Sequence, residues 1–300
     1  MPKTKSNYLV FVIGLLSLSV TTYAQDPHIL RLSEQLESKS LSVRRQAAIS
    51  LGRASFPQSV KLLRAAFLRE VEIEIRIEII KALRHIVFQR YPGYREALYA
   101  LGDASNADVE KNNLVRLRAS QALWEASKKD LLNPIPFLRR NLNDPSTELR
   151  LSAVAMLRKI GTPQTIEALG QSATDKNQQE TVRLKSIEAI GAISLSDPGI
   201  VGREIAAKNR RTTQLLGQPP LLDEGSVQKR HQRQIWYLSQ VAKDSNNSDT
   251  LVLRAIKSIG QVKDKSSIES LEMIINTHAD PSVRKQAIRV LSHVLARQYE

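Results

Sequence analysis

The densest set of groups able to grip an anion is Lys229-Arg230-His231-Gln232-Arg233, which runs on into Trp236-Tyr237. Ahead of it come Arg203, Lys208, Arg210 and Arg211, then the turn-like Gly217-Gln218-Pro219-Pro220. Cations beside aromatic rings suit phosphate or sugar contacts, and long irregular connections in repeat arrays often carry function. The same residues would equally serve packing, with Trp236 and Tyr237 buried against the next helix and the arginines solvated. Catalytic chemistry finds less to work with. The five histidines, His28, His85, His231, His278 and His293, include no pair at helical spacing. There is no nucleophile elbow, phosphate-binding glycine loop or zinc spacing. Cysteine is absent, which removes disulfides, thiolate nucleophiles and cysteine-held metal or iron–sulfur centres. The chain therefore reads as a binder rather than an enzyme, and no catalytic residue, cofactor or metal is assigned.

A second group of cations is periodic. Arginine recurs at Arg44, Arg76, Arg116, Arg150, Arg183 and Arg284, each at the second position of a ten-residue box beginning at residues 43, 75, 115, 149, 182 and 283. A seventh box starts at Leu251, with Val252 in the arginine position. A register of guanidiniums could follow the phosphates of a nucleic acid, or it could bond acids and carbonyls of neighbouring repeats.

The boxes define the elements that must hold these side chains. Positions one, five and nine are aliphatic, mostly alanine, and aliphatic, as in Val115, Ala119, Leu123 or Leu149, Ala153, Leu157. Residues four apart stack on one helical face, so the box is an amphipathic helix whose small middle residue admits a close neighbour. Box starts are separated by 32, 40, 34, 33, 69 and 32 residues, leaving room for a partner helix before each. Such helices are expected at Ser59 to Arg69, Pro134 to Leu142, Pro163 to Gln171 and Ser267 to Ile275. Thr162-Pro163, Asp144-Pro145 and Asp280-Pro281 are start signals. The gap of 69 residues predicts a decayed repeat or an irregular insertion at about 194–225.

Positions three, four and seven speak to surfaces. Position three is apolar in the inner copies (Ile77, Leu117, Leu151, Leu184, Leu253) and charged in the outer ones (Arg45, Lys285), as capping repeats require. Positions four (Glu78, Arg118, Lys185, Arg254) and seven (Lys81, Glu188, Lys257, Arg289) should face an inner groove, and six of these eight charges are positive.

With these boxes the chain resembles the HEAT-repeat family, in particular its short-repeat branch, which includes bilin-lyase-like proteins. The nearest match to that branch's second-helix pattern is Asp280-Pro281-Ser282-Val283-Arg284-Lys285-Gln286-Ala287, and the resemblance covers roughly Leu30 to the C-terminus. It implies an all-α solenoid of about seven helix pairs, with box arginines serving contacts between repeats. It implies no particular activity, since one scaffold hosts many. HEAT-type hydroxylases hold iron on His-Glu pairs, and no histidine here is followed by glutamate.

Export is read from the first residues. Lys3 and Lys5 precede the apolar run Leu9 to Val20, and Thr22-Tyr23-Ala24 offers small residues before a cut between Ala24 and Gln25, the pattern of a secretory signal peptide. The run is too short to span a bilayer, which takes ~20 residues, so no stable span is expected after cleavage. The whole chain carries a formal charge of +14; of its 44 basic residues the leader holds two, leaving 42 against 30 acids. Such a surplus attracts anionic partners.

The reading favoured is a non-catalytic protein–protein interaction scaffold, periplasmic or secreted, of unspecified oligomeric state. It would bind through the groove residues Arg118, Lys185, Arg254 and Lys257 and through the basic stretch Arg203 to Tyr237. The alternatives are a binder of nucleic acid, lipopolysaccharide or acidic glycan, and a bilin-lyase-like or hydroxylase-like enzyme.

Overall fold

The computed structural model describes residues 26–54, 56–129, 131–193, 224–262 and 264–296, with the backbone alone at 224–229. Among these residues every element is an α-helix, and the fourteen helices fall into seven pairs. The pairs are α1 (Pro27–Leu36) with α2 (Leu41–Arg53), α3 (Ser59–Arg69) with α4 (Ile73–Gln89), α5 (Tyr94–Ala104) with α6 (Asn113–Lys128) and α7 (Ile135–Asn141) with α8 (Thr147–Ile160). They continue as α9 (Pro163–Thr174) with α10 (Glu180–Ala192), α11 (Glu224–Lys243) with α12 (Asp249–Ile259) and α13 (Ser266–Thr277) with α14 (Pro281–Ala296). No described helix is long and apolar enough to cross a membrane. The chain forms two compact units, Met1–Gly93 holding α1 to α4 and Tyr94–Glu300 holding α5 to α14.

The box explains why these helices form and where they go. Its first, fifth and ninth positions are buried in the inner copies, from Ile75, Ile79 and Leu83 to Leu251, Ala255 and Ile259. The end copies are looser, with Val43 and Leu291 only half-buried. Small residues set the helix spacing. In the first unit α2 lies so close to α4 that a Cβ on Gly52 would come within 2.7 Å of the Ala82 backbone. In the second, a Cβ on Gly191 of α10 would meet Ser258 of α12 at 2.6 Å. Turns follow the expected chemistry: Gly161 ends α8 in the left-handed region at φ 66°, Pro163 opens α9, and Asn112 accepts bonds from the N–H groups of Leu114 and Val115.

Stacking in the second unit is by file. The box helices α6, α8, α10, α12 and α14 each touch the next, as do the first helices α7, α9, α11 and α13. The files run straight across the long gap, since α11 packs on α9 and α12 on α10. A Cβ on Gly170 of α9 would strike the Tyr237 ring of α11 at 2.3 Å, so these helices are in intimate contact.

The expected first helices are found within three residues of their predicted ends, and Glu224–Lys243 is a correction to the reading of Lys229 to Tyr237 as irregular. This stretch is the first helix of the sixth pair. Its buried face is Ile235, Leu238, Val241 and Ala242, a helical spacing masked in the sequence by the four cations and four glutamines of the same helix. Arg45 and Lys285 are exposed as capping positions should be, whereas Leu253, expected to be covered, is 37% exposed.

Candidate functional site

In each unit, box arginines recur beside the turn that joins the two helices of their pair, and several of them bond its carbonyls. Arg44 donates from Nη1 to the carbonyls of Ser38 (2.8 Å) and Lys39 (3.3 Å), and from Nε and Nη2 to the Glu70 carboxylate (2.7 and 3.1 Å). Arg116 repeats this with the carbonyls of Glu110 and Lys111, both at 2.9 Å, and the carboxylate of Asp144, both bonds 2.8 Å. Arg284 makes the carbonyl half alone, to His278 and Ala279 at 2.7 Å. Each arginine thus ties down its own turn, and the first two also grip an acid at the start of the following box helix. That acid does a second job: Glu70 accepts from the N–H groups of Val71 and Glu72, and Asp144 from that of Ser146. Burial alone would raise the Glu70 carboxyl, but the Arg44 bond, those backbone donors and the Arg44 charge together hold it below its ordinary value.

The ladder changes character from α8 onward. Arg150 donates to Thr147 Oγ1 at 3.0 Å, and Thr147 passes the contact to Gln179, an amide. Arg183 donates from Nε to the Ala173 carbonyl (2.9 Å) and from Nη2 to Asn247 Oδ1 (2.6 Å), again an amide. Asn247 is held in place by its own bond to the Val241 carbonyl. Arg76 sits with its guanidinium 4.9 Å over the Phe67 ring.

At the Arg183 step a cleft of about 510 Å³ opens between the fifth and sixth pairs, lined by Thr174, Lys176, Arg183, Trp236, Gln240, Val241, Lys243, Asp244 and Asn247. Lys176 and Asp244 pair across its rim at 2.9 Å, and this bond, with the Asn246 N–H, holds the Asp244 carboxyl below its usual range. Trp236 stands 55% exposed on one wall, edge-on to Tyr237 with ring centres 4.7 Å apart. A cleft of similar size, about 530 Å³, lies at the Arg44 step in the first unit.

The other sequence candidates separate. Tyr237 is a packing residue over Gly170, its phenol pushed up by burial and by the Glu167 charge. Arg230 is half-buried, its guanidinium pushed down by burial, with Nε lacking a hydrogen-bond partner among the described residues. Arg233 lies 3.7 Å from Glu167, which Arg139 also approaches at 3.6 Å. Of the residues expected to face a groove, in the second unit Arg118 bonds Gln121, and Lys185 and Arg254 both pair with Glu188; in the first unit Lys81 pairs with Glu78. Three of these cations are thus met by neighbouring acids. Lys257 is exposed. Lys229 lies on α11 by its backbone, while Arg203, Lys208, Arg210 and Arg211 fall outside the described residues. Among the described residues no three of His, Asp and Glu converge as a metal site.

The family model for HEAT repeats matches residues 29–124 and 107–191, more than half of the chain. The protein belongs to the HEAT-repeat family. Among solved structures it is similar to YibA of Escherichia coli, at 15% identity and a TM-score of 0.42, covering 97% of this chain and 98% of that one. Human deoxyhypusine hydroxylase, solved in complex with glycerol, is similar at 13% identity and a TM-score of 0.35, covering 89% and 96%. None of the curated proteins matches.

The residues that sequence reasoning missed are the partners of this HEAT array's ladder: Glu70, Asp144 and Asn247, with the cleft residues Lys176, Gln240, Lys243 and Asp244. A signal was available. Glu70 and Asp144 each stand six residues ahead of a box arginine, Arg76 and Arg150, whereas Asn247 stands five ahead of Val252, one place off that register, which Asn246 fills.

Proposed function

We propose that this protein is an exported, non-catalytic scaffold that holds another protein. The observation that carries the reading is Trp236, a large aromatic left 55% exposed beside a polar cleft at the junction of two repeats. Exposed tryptophan and arginine are the side chains that dominate protein interfaces. The repeat array supports the same reading because stacked helix pairs offer an extended surface rather than an enclosed reaction chamber. The leader with its cut between Ala24 and Gln25 supports a periplasmic or secreted location. Arg203, Lys208, Arg210 and Arg211 of the basic stretch belong to the same proposed binding set and lie outside the described residues, while the helices on either side stack directly, α11 on α9 and α12 on α10.

The experiment is affinity purification of the mature chain from envelope or secreted material, run beside Trp236→Ala and the double substitution Arg210→Ala, Arg211→Ala. The expected result is a defined protein partner on the parent chain, reduced recovery on both variants and unchanged melting. Unchanged recovery on both would contradict the assignment of the surface, and turnover of a substrate by a chain that retains nothing would contradict the scaffold itself. Retention of nucleic acid or glycan instead, shed steeply as salt rises from about 50 to 200 mM, would show the anionic-polymer alternative.

A further inference from the structure

Two clefts of nearly equal size occupy equivalent steps of the arginine ladder, and they differ in one chemical respect. At the Arg44 step the chain supplies its own carboxylate: Glu70 meets the guanidinium edge, and Arg69 pairs with Glu37 at the rim. At the Arg183 step the corresponding residue is the amide Asn247, which accepts one bond and carries no charge. Arg183 is only 8% exposed, and its bonds among the described residues run from Nε to the Ala173 carbonyl and from Nη2 to the Asn247 amide, neither of them charged. In Arg44 and Arg116 the Nη1 nitrogen bonds two carbonyls. Two further cations, Lys176 and Lys243, line the cleft against one carboxylate, Asp244, which Lys176 already engages.

We infer that the cleft between the fifth and sixth repeats takes a carboxylate side chain from an acidic segment of the bound protein, with Arg183 and Lys243 meeting the charge and Trp236 covering the neighbouring residue. The inference deepens the scaffold reading and rests on it. Three physical points support a carboxylate. A buried guanidinium that meets only a carbonyl and an amide among the described residues has room for a counter-charge, and the planar fork is matched by a carboxylate, as the chain itself shows at Glu70 and Asp144. The cleft, at about 510 Å³, has room for more than a lone ion. The exposed indole offers an apolar, π-rich wall, which suits a peptide with a hydrophobic residue beside its acids.

The probe is a labelled, N-acetylated peptide of paired glutamates flanked by leucine, with the glutamine version as control, titrated into the mature chain and read by fluorescence anisotropy. The parent chain binds the glutamate peptide and not the glutamine one. Asn247→Asp supplies the missing carboxylate internally and weakens binding by about tenfold or more, the scale of one lost charge-assisted contact. Lys243→Glu, an exposed change that leaves the fold alone, weakens it as well. Equal binding by Asn247→Asp and Lys243→Glu, or equal binding of the glutamine peptide, overturns the inference. Displacement of the peptide by inorganic phosphate at matching concentration also overturns it, since the cleft would then be a simple anion site. If the glutamate peptide fails while a partner protein still purifies equally with the parent and with Asn247→Asp, the cleft assignment falls and the scaffold stands.

Discussion

Arg116 and Asp144 form a bidentate pair with side chains 4% and 3% exposed, and a charge buried that deeply depends strongly on its counter-ion. Arg116→Ala leaves Asp144 uncompensated and should cost about 3–5 kcal/mol, measured by denaturant unfolding. Arg139→Ala, by contrast, removes a solvated contact 3.6 Å from Glu167 and should change stability by no more than about 0.5 kcal/mol. Glu70 gives a pH prediction. Its folded-state carboxyl titrates below its unfolded value, so its contribution is present above the ordinary carboxylate range and is lost as pH falls through the depressed folded value. Glu70→Gln should therefore lower the melting temperature at neutral pH and flatten the acid limb of a melting-versus-pH curve; an unchanged acid limb would contradict this. At this scale the arginines were legible, because a repeat writes them in register. Their partners were written less plainly: Glu70 and Asp144 stand in register six residues ahead of the next box arginine, but which arginine each meets follows only from stacking, as Arg44 meets Glu70 across 26 residues.

Helix positions were readable because burial in a stacked pair is periodic: Ala119 and Ala153 fall on the face their boxes predict and are essentially inaccessible. Ala119→Asp or Ala153→Asp should each cost several kcal/mol by forcing a carboxylate into positions 0% and 1% exposed. The glycines of the box helices separate packing from propensity. Gly191→Ala gains roughly 1 kcal/mol in helix propensity, yet its new methyl would press on both Ser258 Cβ and its backbone, a loss of about 1–3 kcal/mol by overpacking. Net destabilisation in thermal unfolding is the expected outcome, and a gain would show that α10 and α12 are not so closely apposed. Helix α11 was the element hardest to read. Its charges break the amphipathic pattern, and only contact with α9 through Tyr237 and Gly170 shows that it belongs to the ladder.

For the whole molecule, stability in an array of this kind is a sum over repeats and the contacts between neighbours. Replacing residues 195–223 by a shorter Gly/Ser linker should therefore keep cooperative melting, because the fifth and sixth pairs already touch through both files; loss of cooperative melting would mean that this stretch is a structural part of the stack. The number of repeats was legible from the spacing of boxes, but the partner was not, because partner chemistry resides in side chains brought together across repeats, such as Arg183, Trp236 and Lys243 at one cleft. The scaffold reading meets its most direct test in native mass spectrometry of the protein isolated from the compartment where it accumulates. The result predicted is a chain beginning at Gln25 in complex with one defined protein; a chain that retains its leader, or a mature chain that flies alone and turns over a substrate, would contradict it.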